Sequence, residues 1–425
     1  MTSADPVAVD TAPAAGVQRR TLAVLSSGAV LGGVAVAGSI PAGSLLTASI
    51  ADSESVAGLA QTAGVVGAAI MALPLARIAL SRGRRAALAC GYAVGAIGAA
   101  IVIWAAATAN LAGILVGCLL VGVASAAGYQ ARYAATDLAP EADRARALSL
   151  VVWAGTIGAV LGPNLLGGSG VLAVDLGLPQ LAGAYLMCVA CLGLAGLVIF
   201  GLLRPDPYLL ARRQWMQDRG PGSGVRLRDG LLHLRGRPRA ILGIATIAVG
   251  HVVMVMVMVM TPVHMAHVDV QLQVIGLVIS VHVAGMYALS PVVGWAVDRF
   301  GRMPVIWTGM GILAAACAIA GLVPADDARA LGLGLFLLGL GWSCTLIAGS
   351  TLLTDQTQPP ERPSVQGLSD LVMNVAGAIG GVIAGIVVAI AGYGWLCAVA
   401  VIPVACLAAL ALIPAMRRSS VGVSS

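Results

Sequence analysis

The sequence predicts an all-helical, polytopic membrane protein whose twelve spans form two related six-helix halves. Three observations predict it. Of the 425 residues, 59% are apolar and 10% charged, and mean hydropathy is +0.96; a water-soluble chain of this length needs far more surface charge. Twelve apolar runs each reach the length at which a helix crosses a bilayer, about 20 residues. Polar landmarks also recur at a constant offset of 218 residues: Gly83–Arg84 with Gly301–Arg302, Thr136–Asp137 with Thr354–Asp355, and Asp143–Arg144 with Glu361–Arg362. A duplicated half-chain puts all three in one register, which chance does not.

In chain order, residues 1–18 are rich in Ala, Pro, Asp and Thr and are expected to be disordered. Arg19 and Arg20 precede an uncharged run to Ile50, too long for a cleaved signal segment, so it reads as a retained first span. Spans 1–6 are expected over 21–49, 55–79, 86–107, 110–136, 147–170 and 179–203, inside a bundle of residues 19–203. Spans 7–12 are expected over 240–263, 273–297, 303–323, 329–353, 364–391 and 393–415, inside a bundle of residues 240–416, with a tail at 417–425. The linker between them, 204–239, holds nine Arg against Asp206, Asp218 and Asp229. Its Tyr208–Trp215 part reads either as a surface helix on anionic lipid or as a solvated basic segment.

Charge sets the orientation. All 24 basic residues are Arg. Apart from Arg132 inside span 4, they occupy the termini, the linker and the turns on that same side, while the opposite loops hold only Arg329, beside Asp326 and Asp327. Positive loops stay in the cytoplasm, so both termini are expected there, with the chain in the plasma (inner) membrane. A net charge of +6 dispersed over short loops is no nucleic-acid footprint. The eight Cys lie within apolar runs, Cys188-x-x-Cys191 included, and read as packing residues rather than a disulfide framework or zinc site. Nucleotide loops and hydrolytic triads are absent from the sequence, so no enzyme activity and no cofactor are expected, and a gradient would supply the energy.

The stretch Gly294–Trp295–Ala296–Val297–Asp298–Arg299–Phe300–Gly301–Arg302 reads G-x-x-x-D-R-x-G-R. Its charges exclude it from hydrocarbon, so it is a tight surface turn after span 8. Twelve spans, a half-chain repeat and this turn together resemble the major facilitator superfamily over about residues 19–416. The resemblance implies two pseudo-symmetric bundles rocking about a central site in a monomeric secondary transporter of a small-molecule or metal-ion substrate. It also implies a cytoplasmic latch in which Asp298 and Arg302, framed by Gly294, Arg299 and Gly301, act against the start of span 5. The first half departs from the pattern with Leu80 in place of the acid; Asp370 in span 11 and Arg77 are the expected replacement. In span 5, Gly158-x-x-x-Gly162-Pro163 resembles the signature of drug–proton antiporters, with one extra residue before Gly167–Gly168. Cys118 stands where those antiporters usually carry an Arg.

Spans 7 and 8 carry the most specific chemistry. His251, Met254 and Met258 share one helical face, as do His282 and Met286. At about 1.5 Å per residue, Met254 matches His282 in depth and His251 matches Met286. Two thioethers and an imidazole suit a soft ion such as Cu(I). The pairing resembles CcoA-like bacterial copper importers, which implies copper handling by Met254, Met258, His282 and Met286. Adaptable Met also suits varied organic ligands. Cu(I) uptake and proton-coupled efflux of drugs or other small organic compounds therefore stand side by side; a non-transporting membrane scaffold or sensor is the competing class. His251 and Asp370 are the expected carriers of a coupling proton, Tyr129 and Trp342 are expected to face a central substrate site, and Arg132 is expected to snorkel to the cytoplasmic surface.

Overall fold

The computed structural model describes residues 12–52, 58–219, 234–266, 268 and 270–413, and among these no residue lies in a strand. Among the described residues, twelve helices are long and apolar enough to cross a membrane. In the first half they are α1 (Ala12–Ala51), α2 (Gly58–Arg82), α3 (Arg84–Ala107), α4 (Leu111–Ala134), α5 (Arg144–Asn164) and α6 (Gly183–Leu202). The second half has α7 (Pro238–Ala266), α8 in two pieces (Leu272–Tyr287 and Ser290–Phe300), α9 (Arg302–Leu322), α10 (Ala328–Asp355), α11 (Arg362–Ala391) and α12 (Tyr393–Leu412).

The 218-residue offset has a backbone cause at its first landmark. Gly83 and Gly301 each join two helices with no spare residue, at φ +87° and +94°, conformations that residues with a Cβ rarely adopt. Within the halves, glycine lets helix backbones touch. A Cβ on Gly158 would stand 2.3 Å from the Val30 carbonyl oxygen of α1, and one on Gly162 would stand 2.6 Å from that of Val34. The glycines of the span-5 motif therefore seat α5 on α1, while Pro163 lies in the last turn, just before the chain bends at Leu165 into a second helix, Leu166–Asp175.

Helix α5 packs on the second piece of α8, and α2 packs on α11, to join the halves. Both contacts lie toward the arginine-rich face. A Cβ on Gly294 would meet Ser149 Oγ at 2.2 Å, and one on Gly367 would meet the Ala76 Cβ at 2.6 Å. These contacts are related by the repeat: Ser149 and Gly367 are 218 residues apart, as are Ala76 and Gly294. Near-backbone contact on both sides shuts this face.

Several elements differ from expectation. Helix α1 begins at Ala12, inside the segment expected to be disordered, and Gln18 Nε2 donates to the Ala135 carbonyl at 2.8 Å. The span expected over 147–170 is instead α5 plus the short helix after the Leu165 bend. The linker forms a helix, Pro207–Arg219, whose first turn is docked on the protein: Tyr208 is buried and its hydroxyl donates to the Pro360 carbonyl. Residues 1–11, linker residues 220–233 and the tail 417–425 lie outside the described residues.

Candidate functional site: a cleft above an arginine clasp

Helix α4 runs from the open face to the closed one, and its side chains change character on the way down. Cys118, Gly122, Ser125 and Tyr129 line a cavity completed by Ser39 and Gly43 of α1, Gln61 of α2, Tyr185 of α6 and Asn374 of α11. Gln61 is exposed and lies in the first turns of α2, so the cavity opens on the face opposite the arginines. None of the side chains that line it is charged. Its hydroxyl and amide groups can donate and accept hydrogen bonds but offer no charge to an ion.

One turn beneath Tyr129, Arg132 Nη2 donates to Asp370 Oδ1 of α11 at 2.7 Å, with side chains only 4% and 1% exposed. This corrects two expectations: Arg132 does not snorkel, and Asp370 pairs with it rather than with Arg77, which is exposed at the end of α2. The pair crosses between the halves one turn below Tyr129 and Asn374, a floor beneath the cavity rather than part of its wall. It is held by one contact, so Arg132 Nε and Asp370 Oδ2 are buried with no hydrogen-bond partner among the described residues. The Arg132 guanidinium lies over the rings of Tyr129 and Tyr133 at 5.7 and 4.9 Å, an arrangement that compensates a desolvated cation.

On the second-half side, Trp342 Nε1 donates to His251 Nδ1 at 3.2 Å, and Tyr287 meets the Trp342 ring edge-on at 5.6 Å. The His251 ring also abuts Gly377, where a Cβ would come within 2.8 Å of it. The other Met and His candidates lie elsewhere. His282 is fully buried with Nδ1 on the Leu335 carbonyl of α10 at 2.8 Å, Met254 and Met286 are packed into the second-half core, and Met258 is half-buried against it. Of the residues expected at the substrate site, Tyr129 lines the cavity, whereas His251, Met254, Met258, His282, Met286 and Trp342 are not among its lining residues. Among the described residues no cluster of three or more His, Cys, Asp or Glu has a metal-holding arrangement.

Below the floor lies a clasp with the symmetry of the repeat. Asp137 and Asp355, at equivalent positions, each take an Arg of their own half and one of the other. Arg84 Nε donates to Asp137 Oδ2 at 2.9 Å and Arg302 Nε to Asp355 Oδ2 at 2.7 Å. Across the halves, Arg144 Nη1 donates to Asp355 Oδ1 at 2.7 Å, while Arg362 Nη1 donates to the Asp137 carbonyl at 3.3 Å and lies 3.9 Å from its carboxylate. Arg84 Nη2 also donates to Gln366 of α11. Asp298 lies beside this clasp. Its carboxylate accepts the Ala145 and Arg146 N–H groups at 3.2 and 2.8 Å, at the N-terminus of α5, where an anion is favoured by the unpaired amides and the helix dipole. Arg302 donates to the Glu141 carbonyl at 2.8 Å, and Arg299 is exposed.

Sequence reasoning did not assign the clasp to Asp137, Asp355, Arg84, Arg144 and Arg362, although the repeat itself had singled out every one of them. It also passed over Ser39, Gln61, Ser125 and Asn374; isolated polar residues in otherwise apolar spans were the available signal.

The family model of the Major Facilitator Superfamily matches this chain at residues 25–271 and again at 251–425, one match for each half. This chain belongs to the major facilitator superfamily. It is 37% identical over 379 residues to the uncharacterized MFS-type transporter YddS of Bacillus subtilis (strain 168), covering 88% of this chain and 86% of that one. It is 31% identical over 360 residues to the riboflavin transporter RfnT of Brucella anthropi, covering 84% and 85%. Among solved structures, the proton:xylose symporter XylE aligns with a TM-score of 0.71 at 15% identity, covering 93% of this chain and 95% of that one. The human organic anion transporter MFSD10 aligns at 0.69 and 17%, covering 92% and 99%. At these identities the structures share the fold. As a superfamily member the chain is a multi-pass membrane transporter, and its cavity is lined by the first half with Asn374 as the second half's contribution.

Proposed function

We propose that this chain is a proton-coupled secondary transporter of a small, neutral, hydroxyl-bearing organic solute, set in the plasma membrane with both termini in the cytoplasm and working by alternating access. The observation that carries this reading is the uncharged polar cleft ending on a buried inter-half pair, Arg132–Asp370. The floor must part for solute to pass, and a proton on Asp370 removes the attraction that holds it. Oδ2 of Asp370 has no bond to lose on protonation, whereas Nδ1 of His251 is occupied by Trp342. Asp370 is therefore the preferred proton carrier. Tyr129 borders the solute, and the clasp, with Asp298, Arg302 and the glycine contact at Gly294, is the cytoplasmic gate.

RfnT among the relatives makes riboflavin the first probe. In proteoliposomes carrying an imposed pH gradient, wild type should accumulate riboflavin, and Asp370→Asn should lose accumulation while retaining exchange of labelled for unlabelled solute. Equal accumulation by both proteins with the gradient present or collapsed rejects the proton role. Cu(I) uptake is the second reading. It is favoured by His282 Nε2, buried without a hydrogen-bond partner among the described residues while Nδ1 is held by a carbonyl, the arrangement of a preset metal-ligating imidazole. Copper accumulation unchanged by His282→Ala removes it.

A further inference from the structure

The repeat is broken at one corner of the gate, and the linker occupies that corner. Asp298 accepts from Ala145 and Arg146 N–H. The positions 218 residues away are Leu80 for the acid and Pro363 and Ser364 for the donors. Leu80 has no acceptor in its side chain and Pro363 has no N–H. The α2/α11 corner has therefore lost the acid and one of its two donors.

The chain that follows α6 fills the gap. Asp206 Oδ2 accepts the Arg85 N–H at 2.8 Å and lies against Gly83, where a Cβ would meet it at 2.3 Å. Its other oxygen caps the linker helix through the Tyr208 and Leu209 N–H groups, both at 3.1 Å. Arg212 Nη1 donates at 3.5 Å to the carbonyl of Leu80, the residue that replaces the acid. Tyr208 reaches across. Its ring lies 5.9 Å from the Arg84 guanidinium of the first-half clasp, and its hydroxyl donates at 3.2 Å to the Pro360 carbonyl at the entry to α11.

We propose that residues 206–212 are a strap that latches the α2/α11 corner in place of the missing acid, with Tyr208 as its releasable end. Among the described residues, Asp206 and Arg212 bond to the first half and to the strap itself and stay with them; Tyr208–Pro360 joins the halves and must break when the arginine-rich face opens. The proposal rests on the alternating-access reading above, so its test includes a perturbation of the clasp.

The test is the distance between spin labels at Arg82→Cys and Gln358→Cys, both exposed positions on opposite halves, in full-length protein with Cys90, Cys191 and Cys406 replaced by Ser. Tyr208→Phe keeps the ring and removes one oxygen, so it preserves packing. Loss of one inter-half hydrogen bond should raise the ratio of separated to closed populations about fivefold. Asp206→Ala, which uncaps the strap, should raise it too. Asp355→Asn, which cuts the clasp directly, serves as the reference. If Asp355→Asn widens the distribution and Tyr208→Phe leaves it at the wild-type ratio, the strap is refuted while the gate stands. If neither moves it, the alternating-access reading falls and takes the strap with it.

Discussion

Asp137 and Asp355 occupy equivalent positions in the two halves, yet their neutralisation should have opposite kinds of consequence. Asp355 makes two charge-assisted bonds at 2.7 Å, to Arg302 of its own half and Arg144 of the other. Only the Arg144 bond is broken when the halves separate, so only it biases the conformational equilibrium. A hydrogen bond between charged groups contributes about 1.5–3 kcal/mol. With Arg144 17% and Asp355 9% exposed, screening reduces that to about 1–2 kcal/mol. The ratio of open to closed arginine faces should therefore rise by about 5- to 30-fold in Asp355→Asn. Asp137 and Arg84 are both fully buried. Asp137→Asn leaves the Arg84 charge in the interior with only neutral acceptors, the amide oxygen at 137 and Gln366, and removing the countercharge of a buried pair costs about 3–5 kcal/mol. That is a folding defect. Spin-label distances between the halves, together with thermal unfolding in detergent, separate the outcomes: Asp355→Asn should shift the distances with a small change in melting temperature, and Asp137→Asn should melt far earlier. Equal melting losses in the two variants, or unshifted distances in Asp355→Asn, would refute the reasoning.

Three further outcomes follow from the geometry. Gly294→Ala should open the arginine-rich face and slow transport, because its Cβ would stand 2.2 Å from Ser149 Oγ and 2.8 Å from the Ala145 carbonyl; Ser149→Ala relieves only the first clash, so distances should recover only in part in the double variant. Gln61→Ala and Asn374→Ala should each raise the KM for transported solute about fivefold, the effect of one lost hydrogen bond, while leaving the inter-half distances alone. Arg132→Gln combined with Asp370→Asn should unfold at a higher temperature than either single variant, since each single change leaves a buried polar group facing a mismatched partner; a double variant less stable than both would contradict the ion-pair floor.

The fold was legible because bilayer-length apolar runs and an internal repeat each constrain it independently, and glycines at 83 and 301 mark where the repeat is enforced by backbone conformation. Legibility failed where the decisive fact was a long-range contact. Arg132 read as a snorkelling residue because its distance from the helix end permits that; only the position of Asp370 on another helix makes burial tolerable. Tyr208 lay in a segment whose basic composition suggested lipid or water, and a single buried ring under Arg84 overrides that composition. Helical periodicity put His282 and Met286 on one face of α8, but which neighbour that face meets is a matter of helix rotation, and it meets α10.

The repeat also separates what the frame requires from what the cleft does. The clasp is symmetric: Arg84, Asp137 and Arg144 are matched by Arg302, Asp355 and Arg362. Among the polar and aromatic groups above the clasp the match fails at six positions. Arg132 and Asp370 correspond to Ser350 and Val152, His251 to Gly33, Trp342 to Ala124, Tyr287 to Ala69 and Gln61 to Ile279. A duplicated gate needs the same bonds twice, since two corners must close together. The proposed solute site and proton site would need them once, and a second buried ion pair on the α5/α10 side would cost desolvation without a ligand or proton to serve. The residues that break the 218-residue register inside the membrane are thus the ones with which the halves would discriminate solute and proton, and the residues that keep it are the ones with which they would move.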